Sequence, residues 1–208
     1  MIKHAKNALG MFSASILLGG CAALTSVENA TVPLNVYELR ALEFDQSNQT
    51  RSSQSLLIET PTASGTLATD RIVIKPSDLE VKYLPDVRWT DEAPVHFQRL
   101  LATSFTNSGR FGAVVLNDVG ITPDYMLLSD LGAFHATITQ DDSTNFSVVI
   151  KATLTLVRDD DRAVLGTRSF SATATAGSDD PSVLLPAFDT AMQNLLNESL
   201  DWLVRLTR

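Results

Sequence analysis

Alternating apolar and polar residues predict strands over much of the chain. In the first part, the predicted strands are Leu34–Leu39, Leu56–Thr60, Asp70–Lys75 and Leu79–Leu84. In the second part, the pattern predicts a meander of strands at Phe111–Leu116, Tyr125–Thr139, Phe146–Val157 and Ala163–Ala174. Gly132 interrupts the longest of these strands, which predicts a bulge or a bend there.

One segment between the two groups of strands has the spacing of a helix. We expect Asp91 to be its N-cap, with Pro94 in the first turn, where no amide hydrogen is needed. Gly109 would end the helix, because glycine adopts a positive φ readily. We place His96 on the exposed flank. The predicted buried stripe consists of Phe97, Leu100, Leu101, Ser104 and Phe105.

A second helix is predicted from Ser182 to Leu206, with apolar residues along one face. Ser199 lies in the middle of that face, where a small residue would allow close approach to the sheet, and Asp189 lies on the polar face. Strands and helices do not alternate regularly, which disfavours a doubly wound parallel sheet. We therefore predict a single α+β domain in which an antiparallel β-sheet packs against two amphipathic helices.

The first 21 residues have the features of an export signal. Two lysines precede an apolar run at residues 8–18, which is too short to cross a bilayer. The run ends in Leu18-Gly19-Gly20-Cys21, which resembles the lipobox of bacterial lipoproteins. We therefore predict a signal peptide at 1–20, cleavage between Gly20 and Cys21, a lipidated tether at 21–32 and a folded domain at 33–208.

The predicted modification is a diacylglycerol thioether and an N-acyl chain, such as palmitate, on Cys21, the only cysteine of the chain. Two or more acyl chains give stable membrane anchoring. By resemblance to lipoprotein sorting signals, Ala22, the residue after the lipidated cysteine, does not retain the protein in the inner membrane, whereas an aspartate at this position would retain it. We expect the protein on the periplasmic leaflet of the outer membrane.

The charge of the chain narrows the class of partner. Without Lys3 and Lys6, 14 lysines and arginines face 24 acidic residues, a net charge of −10. This balance argues against nucleic acid and against a polybasic contact with anionic lipid.

The sequence offers little chemistry for catalysis. Only His96 and His135 remain after signal removal, and neither stands in a zinc-binding motif. No nucleophile elbow or phosphate-binding loop occurs. Asp159–Asp161 has the pattern of a hairpin turn and lacks the spacing of a calcium loop. We predict no catalytic, cofactor-binding or metal-binding residues.

The segment from Leu56 to Val115 resembles the ABC-type transport auxiliary lipoprotein family, which includes the paraquat-inducible protein C-like lipoproteins. The resemblance is carried by Arg71–Ile74, Leu79–Tyr83, Val87–Trp89, Asp91, Pro94, Leu101, Phe111 and Val114–Val115. The polar loop at 45–54 departs from the family pattern. The resemblance implies a non-catalytic component of an envelope lipid-transport system with an MCE-domain lipid-binding protein, an ABC permease and an ATPase as partners.

Three residues are candidates for a partner surface: Tyr83, Arg88 and Trp89. Trp89 directly precedes the predicted helix, so packing in the core is the competing interpretation. The sequence leaves self-association open. Two other functions remain: an outer-membrane assembly or structural lipoprotein, and a lipid-anchored hydrolase.

Overall fold

The strands and helices are described by a computed structural model. It describes residues 33–45, 52–116, 120, 122–139 and 145–208. Residues Asn35–Arg208 form one compact unit, and only Pro33 and Leu34 of the preceding unit are described. The predicted signal peptide, Cys21 and residues 46–51 of the polar loop lie outside the described residues.

The described residues contain nine strands and two helices. The strands are β1 (Asn35–Tyr37), β2 (Ser55–Ile58), β3 (Thr62–Ala63), β4 (Arg71–Ser77), β5 (Glu80–Trp89), β6 (Ala113–Leu116), β7 (Tyr125–Ile138), β8 (Phe146–Arg158) and β9 (Val164–Ala176). The helices are α1 (Ala93–Asn107) and α2 (Pro181–Leu206). All eight predicted strands are present, and only the two-residue β3 was missed.

The sheet is organised around β7. On one side β8 pairs antiparallel with β7 over the full length of both strands, and β9 pairs antiparallel with β8. On the other side β2, β3 and β4 follow one another along β7, all parallel to it. Beyond them, β6 lies parallel to β2, β5 antiparallel to β4, and β1 parallel to β5.

The α+β class is confirmed, but the prediction of an antiparallel sheet is wrong because the sheet is mixed. The antiparallel part is the β7–β8–β9 meander and the β4–β5 hairpin. Alternation within a strand reports which side chains are buried and carries no information on direction. Long connections allow β2, β3 and β4 to pair parallel with a strand more than 60 residues away.

Two of the irregularities in the sheet change which side chains face the core. The register between β7 and β8 shifts between Leu131 and Ala133, which confirms the predicted bulge at Gly132. A second irregularity lies in β5, where Asp86 has a φ of 60°. Because of it, the buried positions change parity from Leu84 to Val87 and Trp89.

Helix α1 differs from the prediction at its start and on its flank. Its N-cap is Glu92, without a capping side chain, while Asp91 forms an ion pair with Arg99. His96 is only 3% exposed, so its predicted place on an exposed flank is wrong. The helix buries more than the predicted stripe, since it lies between the sheet, α2 and the segment that follows β1. Gly109, with a φ of 61°, ends it as expected.

Helix α2 begins at the N-cap Asp180, whose carboxylate accepts a hydrogen bond from the Ser182 amide at 2.8 Å. Ser199 is completely buried, as predicted. Asp189 is buried as well, and its prediction as a solvent-facing residue is therefore wrong.

Both helices pack on the same face of the sheet. An aromatic cluster packs α2 against the sheet. It consists of Trp89 of β5, Phe134 of β7 and Phe188 of α2, whose ring centroids are 5.3 to 5.5 Å apart. Burial of these large apolar side chains is the main driving force for packing the layers. No helix in the described part of the chain covers the opposite face of the sheet, which we call the open face.

Candidate interaction surface

The β4–β5 hairpin brings two of the three predicted surface residues onto the open face. Before Asp86, the odd-numbered residues of β5 point away from the core, and after it the even-numbered residues do. Tyr83 and Arg88 therefore share one face although they are five positions apart. A regular strand would have placed them on opposite faces.

Tyr83 is 44% exposed, and the guanidinium of Arg71 lies over its ring, 5.8 Å from the ring centroid. Arg71 also donates a hydrogen bond from Nη2 to the carbonyl of Leu84 at 3.3 Å. The arginine is thus held along the hairpin beside the exposed tyrosine ring. A cation held over an aromatic ring is suited to binding a partner with acidic and apolar groups.

Arg88 is half-exposed and forms an ion pair with Asp70, with 3.0 Å between Nη1 and Oδ2. Asp70 also accepts the amide of Trp89 through its main-chain oxygen at 2.7 Å. The ion pair therefore keeps Arg88 in place at the base of the hairpin, with part of its side chain accessible.

Trp89 lies in the core. It is 1% exposed, and its ring also contacts the ring of His96, with the centroids 5.5 Å apart. Its burial takes it out of the candidate surface, and the competing interpretation from the sequence, core packing, applies.

Further basic side chains lie near the hairpin. The pKa of His135 on β7 is lowered, first by burial and then by the positive charges of Lys75 and Lys151. Lys75 belongs to β4 and Lys151 to β8, so the two strands that flank β7 supply the charge and His135 itself is neutral at neutral pH. Positive charge thus gathers here in a chain whose net charge is −8.

The segment after β1 is a second feature of the candidate region, and it was not predicted from the sequence. The segment Glu38–Phe44 follows β1, and side chains from both helices hold its main chain; we call it the strap. From α1, His96 Nε2 accepts the amide of Leu39 at 3.2 Å, and Ser104 Oγ accepts the amide of Leu42 at 3.0 Å. From α2, Asp189 accepts the amide and the side chain of Arg40.

The strap explains why polar residues are buried on both helices. His96 and Ser104 accept the amides of the buried residues Leu39 and Leu42, which would otherwise lack a partner, and Asp189 accepts the amide of Arg40. The signal for this feature was present in the sequence, since Ser104 lies within an apolar stripe. Its partner, however, is 62 residues away.

A groove of about 400 Å³ lies beside the strap and is lined by both acidic and basic side chains, among them Glu38, Asp91 and Arg99. His96 also lines it, and burial is the main reason why its pKa is lowered, so its imidazole is neutral at neutral pH. Since Nε2 already accepts a hydrogen bond from Leu39, it is not free to act as a base.

The described residues hold no group of three or more side chains arranged to bind a metal ion. None of the helices in the described ranges has the length and apolar character needed to cross a bilayer. The fold and these surfaces thus define a two-layer α+β domain with an open sheet face.

The family is shown by comparison with known proteins. The profile described as "ABC-type transport auxiliary lipoprotein component" matches residues 37–198, which covers all but the ends of the compact unit. The chain therefore belongs to the ABC-type transport auxiliary lipoprotein family, as its sequence indicated. No curated protein sequence matches the chain significantly.

Solved structures share the fold. Protein XCC0632 from Xanthomonas campestris superposes with a TM-score of 0.75 at 21% identity, covering 83% of this chain and 96% of that one. The hypothetical protein CT253 from Chlamydia trachomatis has a TM-score of 0.52 at 10% identity, covering 74% of this chain and 96% of that one. At these identities the likeness concerns the fold alone.

Proposed function

We propose that this protein is a non-catalytic, lipid-anchored component of an ABC/MCE-type envelope lipid-transport system. Its role is to position partner subunits at the periplasmic leaflet of the outer membrane. The observation that carries the proposal is the family match over residues 37–198. The lipobox ending at Cys21 supports it, because it supplies the membrane anchor for the folded unit.

The arrangement of the fold supports a binding role. The helices occupy one face of the sheet, and in the described residues the other face is free of helices. Buried polar side chains that could have served catalysis hold the strap instead, as His96 and Asp189 do. Tyr83 and Arg88 lie on the free face, where a partner subunit has access to them.

The proposed partners are an MCE-domain lipid-binding protein and, through it, the ABC permease and ATPase. In such a system the energy of ATP hydrolysis is used by another subunit, because this chain has no phosphate-binding loop. The proposed cargo is a phospholipid or another lipid that moves between the two membranes.

Complementation of a deletion strain tests this function, with envelope permeability as the readout. We expect the wild-type chain to restore the barrier and Cys21→Ser to fail, because the unlipidated chain does not reach its membrane. Tyr83→Ala should reduce complementation at a normal protein level. Val164→Ala is the matched control, since Val164 is an exposed apolar residue at the other end of the sheet.

Restoration of the barrier by Cys21→Ser at wild-type efficiency would contradict the anchoring role. Equal activity of Tyr83→Ala and Val164→Ala would remove Tyr83 from the partner surface.

A further inference from the structure

The end of the β4–β5 hairpin carries an unusual set of exposed side chains. Asp78 and Leu79 form its two-residue turn, between the paired residues Ser77 and Glu80. Leu79 is 99% exposed. Turns of this kind favour glycine, asparagine, aspartate and serine, so leucine is not explained by the turn itself.

The apolar character continues along the hairpin. Val81 and Tyr83 are exposed and lie on the open face of β5, before its bulge. Glu80 and Lys82 point to the opposite face and form an ion pair of 2.8 Å. The first four residues of β5, Glu80–Tyr83, therefore have two different sides. One side is apolar and continues from Leu79 at the tip, and the other side is charged.

The direction of β1 relates this tip to the lipid anchor. Strand β1 runs parallel to β5, with Asn35 beside Val87. Followed backwards from Asn35, β1 points toward the beginning of β5, where the hairpin turn lies. The N-terminal end of β1 is thus directed toward the end of the sheet that carries Leu79.

The tether is long enough to place that end at the membrane. From Cys21 to Asn35 there are 14 residues, which can span at most ~50 Å when extended. Leu79 lies eight positions before Val87, the residue of β5 that is level with Asn35, or roughly 26 Å along the strand direction. A lipid on Cys21 and the side chain of Leu79 can therefore reach the same bilayer surface.

We propose that the hairpin tip is a membrane-contact site, in which Leu79 and Val81 insert between the lipid headgroups of the leaflet that holds the acylated Cys21. The contact would orient the domain and keep the base of the hairpin, with Arg88, available to partners. This inference rests on lipidation at Cys21, which is part of the proposed function.

A fluorescent probe at the tip tests the contact. Leu79→Cys in the acylated full-length chain is labelled with the thiol-reactive dye NBD and reconstituted into vesicles of phosphatidylethanolamine and phosphatidylglycerol. Acylation blocks the thiol of Cys21, so only the introduced thiol reacts. Val164→Cys is the matched control. Strand β9 begins at the end of the sheet opposite the hairpin tip, and Val164 is also exposed and apolar.

We expect a blue-shifted emission for the label at position 79 and at least twofold stronger quenching by nitroxide-labelled lipids than for the label at 164. A label introduced through Val81→Cys should lose this quenching when Leu79→Asp is added. Equal quenching at 79 and 164 overturns the inference, and so does shielding of the tip only when membrane proteins are present.

The acylation state of Cys21, measured by mass spectrometry on the same sample, separates the two possible failures. A chain without acyl groups contradicts the anchoring in the proposed function. An acylated chain whose tip remains in water contradicts the membrane contact alone.

Discussion

Ser104→Ala tests whether the strap stabilises the domain through tertiary hydrogen bonds. Ser104 is completely buried in α1, and its Oγ accepts the amide of Leu42 at 3.0 Å. Leu42 is itself buried, so water cannot replace the lost acceptor. The substitution leaves a buried amide without a partner and hardly changes the packing volume.

The expected cost follows from that orphaned amide. Leaving a buried donor unsatisfied costs about 1–3 kcal/mol of unfolding free energy. For a chain of 208 residues, a loss of ~2 kcal/mol lowers Tm by roughly 4–8 °C. The gain in helix propensity from serine to alanine, about 0.5 kcal/mol, offsets only a small part of this loss.

Ser199→Ala is the matched control. Ser199 is equally buried in a helix, but its hydroxyl donates only to the carbonyl of Leu196 in the same helix, at 2.9 Å. Its loss leaves no tertiary amide unpaired, so we expect a change within ~0.5 kcal/mol. Urea unfolding followed by circular dichroism measures both variants. Equal losses for the two serines would refute the role assigned to the strap.

Two further predictions concern stability. Burial lowers the pKa of His96 in the folded state. The neutral imidazole therefore contributes its full stability above the unfolded-state pKa of ~6.5, and this contribution is lost as the pH falls through the lower folded-state pKa. His96→Gln should therefore lose less stability than wild type between pH 7.5 and pH 5 in urea unfolding, and identical losses would contradict the assignment. Gly112→Ala should destabilise by about 1–3 kcal/mol, because its Cβ would lie 2.7 Å from the main-chain oxygen of Ser52. Gly65→Ala, with no atom within 4 Å of the new Cβ, should be near neutral, and equal unfolding midpoints would count against the steric reasoning.

Much of the fold could be predicted because local sequence patterns identify the strands and the helices. The pattern predicted the strands β7, β8 and β9, and Gly132 marks a bulge in β7. Ser199 was correctly placed in the buried face of α2 from helical spacing alone. These predictions depend on neighbours within a few residues, which a sequence displays directly.

The remaining features depend on distant partners. Asp189 has the sequence context of a polar helix face, yet its carboxylate holds the amide of Arg40, 149 residues away. The parallel pairing of β2 and β4 with β7 is likewise set by long-range packing.

The positions of the three candidate surface residues could be predicted only in part. Tyr83 and Arg88 share the open face because Asp86 adopts a positive φ. Residues other than glycine rarely adopt a positive φ, so the sequence does not predict it. Trp89, next to Arg88, faces the core for the same reason. Aromatic character alone does not distinguish an interface residue from a core residue.

The most direct test of the proposed function is purification of the acylated, tagged chain from native membranes, followed by mass spectrometry of the bound proteins. An unrelated outer-membrane lipoprotein with the same tag is the control. We predict enrichment of an MCE-domain protein together with an ABC permease and ATPase, relative to that control. Recovery of barrel-assembly or fibre components, with no subunit of an ABC transporter, would contradict the account.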